Sequence, residues 1–179
     1  TEQRLREVLG SRIYGVDDTT LSDRVRELLD SSELSVSVAE SGSGGLVSDL
    51  LSGRSDGSKY FDCGLVLGSG TPSKELLGLS PKEEVKRRDG GGEICSEMAT
   101  KLLNLTKTDL ALVRTRITPV SSSSEEETKQ WHSHACLASA QEVDKKRLKY
   151  SGRFREAREK MAKGTISLLY EYLIKEKEE

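Results

Sequence analysis

Apolar residues along the chain follow two rhythms, one close to the helical repeat and one of two residues. Leu21, Val25, Leu28 and Leu29 share a helical stripe behind a capping-box pattern at Thr20 and Asp23, so a helix is predicted over Leu21–Leu29. "LSVSVA" (34–39) alternates and is β-branched, which predicts a strand. "GGLVSDLLS" then sets Leu46, Val47, Leu50 and Leu51 on one helical stripe. After a turn at Asp56 and Gly57, "YFDCGLVLG" predicts a second strand, and "PSKELLGLS" a short helix with Pro72 near its start. "EICSEMATKLLNL" predicts a helix with Ile94, Met98, Leu102 and Leu105 near one face. "DLALV" has the character of a buried strand, "WHSHACLA" alternates, and "KRLKYS" reads as a further strand. From Arg153 onward, Phe154, Ala157, Met161, Thr165, Leu168 and Tyr172 fall on one face of a long amphipathic helix, expected to fray at its charged end "KEKEE".

Strands interleaved with helices predict an α/β fold, a three-layer-type sandwich with a mixed β-sheet covered by helices on both faces. Residues 1–19 are polar and broken by Gly10 and Gly15, and read as a short helix and connector ahead of a domain over 20–179. "KEEVKRRDGGGE" and "SSSSEEE" read as solvated loops. No self-similarity at a period of about 20–50 residues points to a solenoid or propeller.

Composition narrows the picture. Thirty acidic residues against 28 Lys and Arg leave a formal net charge of −2, no basis for broad binding to nucleic acid or an anionic membrane. No apolar run approaches the roughly 20 residues of a membrane span. Cys63, Cys95 and Cys136 are too few and scattered for a disulfide framework, which points to a soluble protein of a reducing compartment, cytoplasmic or organellar. The chain begins at Thr1, and a removed targeting segment is compatible with that start.

The candidate chemistry lies in "VAESGSGGLVSDLL" (38–51), a strand, a glycine turn and a helix. Glycines let an anion or a carbonyl oxygen approach the backbone, so Ser43, Gly44 and Gly45 could bind a phosphate or form an oxyanion hole. Ser41 or Ser43 could act as a nucleophile beside a base. The spacing is neither that of a P-loop nor of a dinucleotide fingerprint, and by itself fits a plain strand-to-helix turn as well.

The same stretch resembles the AESCTGG motif of the carboxyl-terminal domain of the CinA (competence-damage-inducible) family. "GSKYFDCGLVLG" resembles that family's GSSxYFxGGVVAY, "KELLGLS" its KxxLLGV, "GGEICSEMATKL" its HGAVSxxxAxxMA, and "YSGRFREAREKMAKGTISLL" its closing FxGDRxxIRxxAxxxAL. The likeness runs from about Ile13 to Leu173, with "IYGVDDTTLSDRVRELL" similar to the connector that precedes the domain in longer family members. It implies a nicotinamide mononucleotide deamidase, which releases ammonia from nicotinamide mononucleotide with a serine nucleophile assisted by a tyrosine and a lysine.

Departures from the family pattern bear on that chemistry. Gly42 replaces the motif's cysteine, Gly68 stands at the tyrosine position and Ser73 at the lysine position, with Lys74 one residue late. One residue on a helix turns a side chain by about 100°. "RTRITPV" (114–120) corresponds to the family's ITGIAGP loop: Thr115 and Ile117 match, whereas Arg116 and Pro119 replace glycines. Arg114 and Arg116 could instead recruit a phosphate. Arg153 and Phe154 replace the closing motif's aspartate and arginine, while Gly152 and Arg158 match.

These losses predict a pseudoenzyme, a CinA-like domain kept as a structural or interaction subunit, with protein partners or a second copy of itself. The alternative is a working amidase with Ser41 or Ser43 as nucleophile, Lys74 as base, and Gly44, Gly45, Thr115 and Arg116 as ligand contacts; a nucleotide-binding regulator without turnover lies between them. No cofactor is expected. His132, His134 and Cys136 fall on one face of their strand, but a structural zinc site wants a fourth ligand, so they are read as ordinary strand residues. Cys95, at a helix start, is read as a packed side chain rather than a reactive thiol.

Overall fold

The computed structural model describes residues 2–10, 13–53, 59–68, 76–78, 91–120 and 129–178. In chain order the elements are α1 (Glu2–Leu9), α2 (Leu21–Ser32), β1 (Val36–Ser41), α3 (Leu46–Ser52), β2 (Phe61–Leu67), α4 (Gly92–Thr106), β3 (Leu110–Arg114), β4 (Thr118–Pro119), β5 (Gln130–Ala138), β6 (Val143–Ser151) and α5 (Phe154–Glu178). Most of the predicted short helix after Pro72, the "KRRD" loop and the "SSSSEEE" loop lie outside the described residues.

The sheet is mixed, as expected. β1 runs parallel to β2 and β3, whereas β5 runs antiparallel to β3, β4 and β6. Val36, Val38, Leu110, Leu112, Ala135 and Leu137 pack on α2, α3 and α5. Ala39, Ala111, Val113, Cys136 and Ala138 pack on α4 from the opposite face. This division follows from the period-two alternation of strand side chains. Each leucine withdrawn from water into these cores contributes about 1.5–3 kcal/mol before ordering costs.

Three local outcomes refine the sequence reading. The Thr20–Asp23 capping box forms, and α2 runs on to Ser32 before Glu33 closes it in the left-handed conformation. β4 was not anticipated: Thr118 and Pro119 pair with His132 and Trp131. α5 stays helical through Glu178 instead of fraying at "KEKEE", with Lys175 bonded to Glu142 at 3.2 Å and Lys177 to Ser31 at 3.0 Å. Of its predicted apolar face, Ala157, Met161, Thr165, Leu168 and Tyr172 are buried. Phe154 is exposed but sets its ring edge-on to Trp131 at 5.1 Å. No helix among the described residues is long and apolar enough to cross a membrane.

Candidate functional site at the glycine turn

Parallel pairing brings three strand ends together. Ser41 of β1 pairs with Leu67 of β2, and Glu40 with Arg114 of β3, so the glycine turn, Gly68 and segment 114–119 share the carboxyl edge of the sheet. Gly42, Gly44 and Gly45 have φ of 76°, 68° and 92°, a region open to glycine and costly for other residues. These three glycines turn the chain from β1 into α3.

Glu40 organises the turn. Its side chain is fully buried. Oε2 accepts from the Val47 N–H at 3.0 Å, and Oε1 accepts from the Ser48 N–H at 2.9 Å and the Ser48 hydroxyl at 2.6 Å. The carboxylate thus takes up N–H groups that the start of α3 leaves open. Burial alone would raise its pKa, but the hydrogen bonds from Ser43, Ser48 and Val47 outweigh burial and hold it below the ordinary 4.5.

Arg114 stands beside Glu40 in strand register and is also fully buried. Its Nη2 donates to the Ser41 carbonyl at 3.3 Å, while Nε and Nη1 have no partner. Burial lowers its pKa to about 10; Glu40 opposes that shift and the nearby Arg158 adds to it. A Cβ on Gly44 would lie 3.8 Å from Arg158 Nη1, which places α5 against the turn.

The sequence-predicted residues take distinct places. Ser41 and Ser43 are both buried, and alternation assigns Ser41 to the sheet face of Ser37 and Ala39, opposite Glu40. The Ser43 hydroxyl helps hold Glu40 ionised, yet no neighbour meets full hydrogen-bond geometry with it. Segment 116–117 packs on the turn: a Cβ on Gly42 would lie 3.5 Å from the Ile117 nitrogen and 3.8 Å from Arg116 Cγ. Arg116 itself is exposed. Thr115 is buried with its hydroxyl engaged by the backbone of His134, accepting from the N–H at 3.0 Å and lying 3.4 Å from the carbonyl oxygen. Gly68 is exposed, with nothing among the described residues within 4 Å of where a Cβ would stand. Ser73 and Lys74 lie outside the described residues.

From sequence, Glu40 and Arg158 carry no role, and Arg114 reads, with Arg116, as a residue that could recruit a phosphate. The available signal was parity: Glu40 follows Val36 and Val38 at steps of two, which aims it at the α3 face, and Arg114 follows Leu110 and Leu112 in the same way.

The remaining candidates are quieter. His132 and His134 lie ring edge to face at 6.1 Å, and the His132 ring meets the Thr118 hydroxyl at 3.0 Å. No cluster of three or more His, Cys, Asp or Glu able to hold a metal ion occurs among the described residues. Cys95 is buried, with Sγ 3.5 Å from the His134 carbonyl oxygen, and burial beside Cys136 pushes its thiol well above the ordinary value.

The arrangement is that of an α/β domain with its ligand-site architecture at the carboxyl ends of parallel strands. The chain belongs to the CinA family: the model for the CinA C-terminal domain matches residues 18–173. A relative from Caldicellulosiruptor saccharolyticus, named for competence-damage induction, is 36% identical over 118 residues, covering 65% of this chain and 28% of its own. A CinA-like protein from Trichormus variabilis is 33% identical over 116 residues and likewise covered for 28% of its length. The match therefore spans under a third of these curated relatives. Among solved structures, a CinA superfamily protein from Enterobacter cloacae superposes with a TM-score of 0.70 at 19% identity, covering 89% of this chain and 96% of that one. One from Klebsiella pneumoniae gives a TM-score of 0.72 at 18% identity, covering 86% and 96%.

Proposed function

We propose that this CinA-type domain has lost the family's Ser/Lys amide hydrolysis and serves as a structural or interaction subunit of a larger assembly. The observation that carries this reading is the replacement of both helper groups: Gly68 and Ser73 stand where the family has its tyrosine and lysine. Glu40, which matches the motif's own glutamate, has its oxygens committed to α3 and its pKa held down, so it is no substitute for the missing base. The alternative is a nicotinamide-nucleotide amidase with Lys74 as base; it is favoured by the three left-handed glycines, which keep the backbone approachable.

Ammonia release from nicotinamide mononucleotide by the purified chain tests both readings. No turnover above that of a Ser41→Ala, Ser43→Ala double variant is expected, and turnover that disappears in the variant would overturn the proposal. Restoring the missing groups with Gly68→Tyr and Ser73→Lys should raise any residual rate.

A further inference from the structure

We propose that β6 is a docking edge for an acidic, extended segment of a partner protein, which adds to the sheet as a further strand. The proposal rests on the interaction reading above and gives it a surface and a partner chemistry. β6 pairs with β5 and borders the sheet. The two ends of the ribbon fix the phase of its hydrogen bonds. The Ser139 N–H donates to the Glu142 carbonyl at 2.9 Å, and the Gly152 N–H donates to the Lys129 carbonyl at 3.0 Å. Both pairs continue the β5–β6 register, so residues 144, 146, 148 and 150 turn their backbone groups toward β5. Lys145, Arg147 and Lys149 turn theirs outward, where no strand among the described residues takes them up.

The same three residues share one face. Their register partners are Cys136, His134 and His132, and Cys136 belongs to the α4 core. All three are exposed, and none makes an ion pair among the described residues. On the other face, Leu148 and Tyr150 lie toward α5. Lys160 and Lys163, exposed and likewise without ion pairs among the described residues, fall on the helical stripe between Glu156, which bonds Tyr150, and Glu171, which bonds Lys146. Five cations thus border one open backbone edge, in a chain whose net charge is −2. Lysines on an edge repel unwanted strands, and the same charges select a strand of opposite sign. A second copy of β6 would set cation against cation. β2, at the opposite border, offers a single acid, Asp62. The phosphates of a nucleic acid would accept from the outward N–H groups but donate nothing to the outward carbonyls. A polypeptide with acids at every second position, about 7 Å apart, meets both the backbone row and the charges.

The test is calorimetric titration of the full chain with a capped peptide of the length of β6 that alternates glutamate and threonine. Saturable binding tighter than about 100 μM is expected at low salt, weakening as salt is added. The triple variant Lys145→Glu, Arg147→Glu, Lys149→Glu should bind at least about tenfold more weakly. Arg147→Pro removes an outward N–H and leaves the ladder to β5 intact, so it should bind more weakly than Arg147→Thr, which removes the charge alone. Should the triple variant not fold, this second pair gives the same reading. The same peptide with N-methyl groups on its edge-facing amides keeps its charge and should lose binding. Equal binding of the methylated peptide, or of an oligothymidylate of matching length, identifies a surface for polyanions in general and overturns the proposal. Absence of peptide binding up to about 1 mM, or unchanged binding in the triple variant, overturns it too. The ammonia assay keeps the two readings apart: no peptide binding and no turnover overturn the docking edge alone, whereas turnover overturns the reading on which it rests.

Discussion

Glu40 and Arg114 set the character of the strand ends. Replacing Glu40 with Gln keeps the side-chain shape but removes the negative charge beside Arg114 and turns one acceptor into an NH2 that faces a backbone N–H of α3. Unfolding in urea should show a loss of about 3 kcal/mol for Glu40→Gln, and a clearly smaller loss when Arg114→Met accompanies it. The depressed pKa of Glu40 also fixes a pH dependence. Its contribution to stability is fully present above the unfolded value of 4.5 and is lost as pH falls through the lower folded value. Asp109, lowered from 3.8 chiefly by the Ser35 hydroxyl and N–H, acts with the same sign. The urea midpoint should therefore hold steady from pH 7 to about pH 5 and drop below that. Gly45 makes a separate point: with φ at 92° and an ordinary 3.7 Å approach to Val66, Gly45→Ala should cost about 1–2 kcal/mol through backbone strain and not through a clash.

Between β2 and α3 the contact is close. A Cβ on Gly64 would fall 2.5 Å from Ser48 Oγ and 3.0 Å from its Cβ, and that hydroxyl holds Glu40. Gly64→Ala should lower stability by about 1–3 kcal/mol in a thermal melt, and Ser48→Ala should partly rescue it by removing the nearer atom. The elements themselves were largely legible, because a stripe such as Leu21, Val25, Leu28 and Leu29 is local information. What escaped was set by pairing across the chain. Thr118 and Pro119 become a strand only through register with His132 and Trp131. An arginine closing an apolar run reads as a solvated cation; parity aims Arg114 at the α3 face, but its pairing with Glu40 is set by register between strands distant in sequence. The far end of α5 held because Lys175 and Lys177 reach Glu142 and Ser31, residues distant in sequence.

Two cores on opposite faces of one sheet give the molecule separate readouts. Cys95 and Cys136 lie fully buried on the α4 side, and Cys63 on β2 is half-buried. Alkylation of the native chain should therefore modify Cys63 first, with Cys95 and Cys136 following only as the α4 face opens, as mass spectrometry would show. On the other face the core is finished by α5. It supplies Ala157, Met161, Ala162, Ile166, Leu169 and Leu173 to a cluster that also holds Val36 and Val38 of β1. On a ribosome, the early strand would emerge with its share of the last helix's apolar cover still missing. Until the residues of α5 have been translated, only α2 and α3 cover Val36, Val38 and Leu112 on that side. The domain is thus exposed to misassembly during most of its own synthesis, and its safe passage depends on how quickly one late helix finds the sheet.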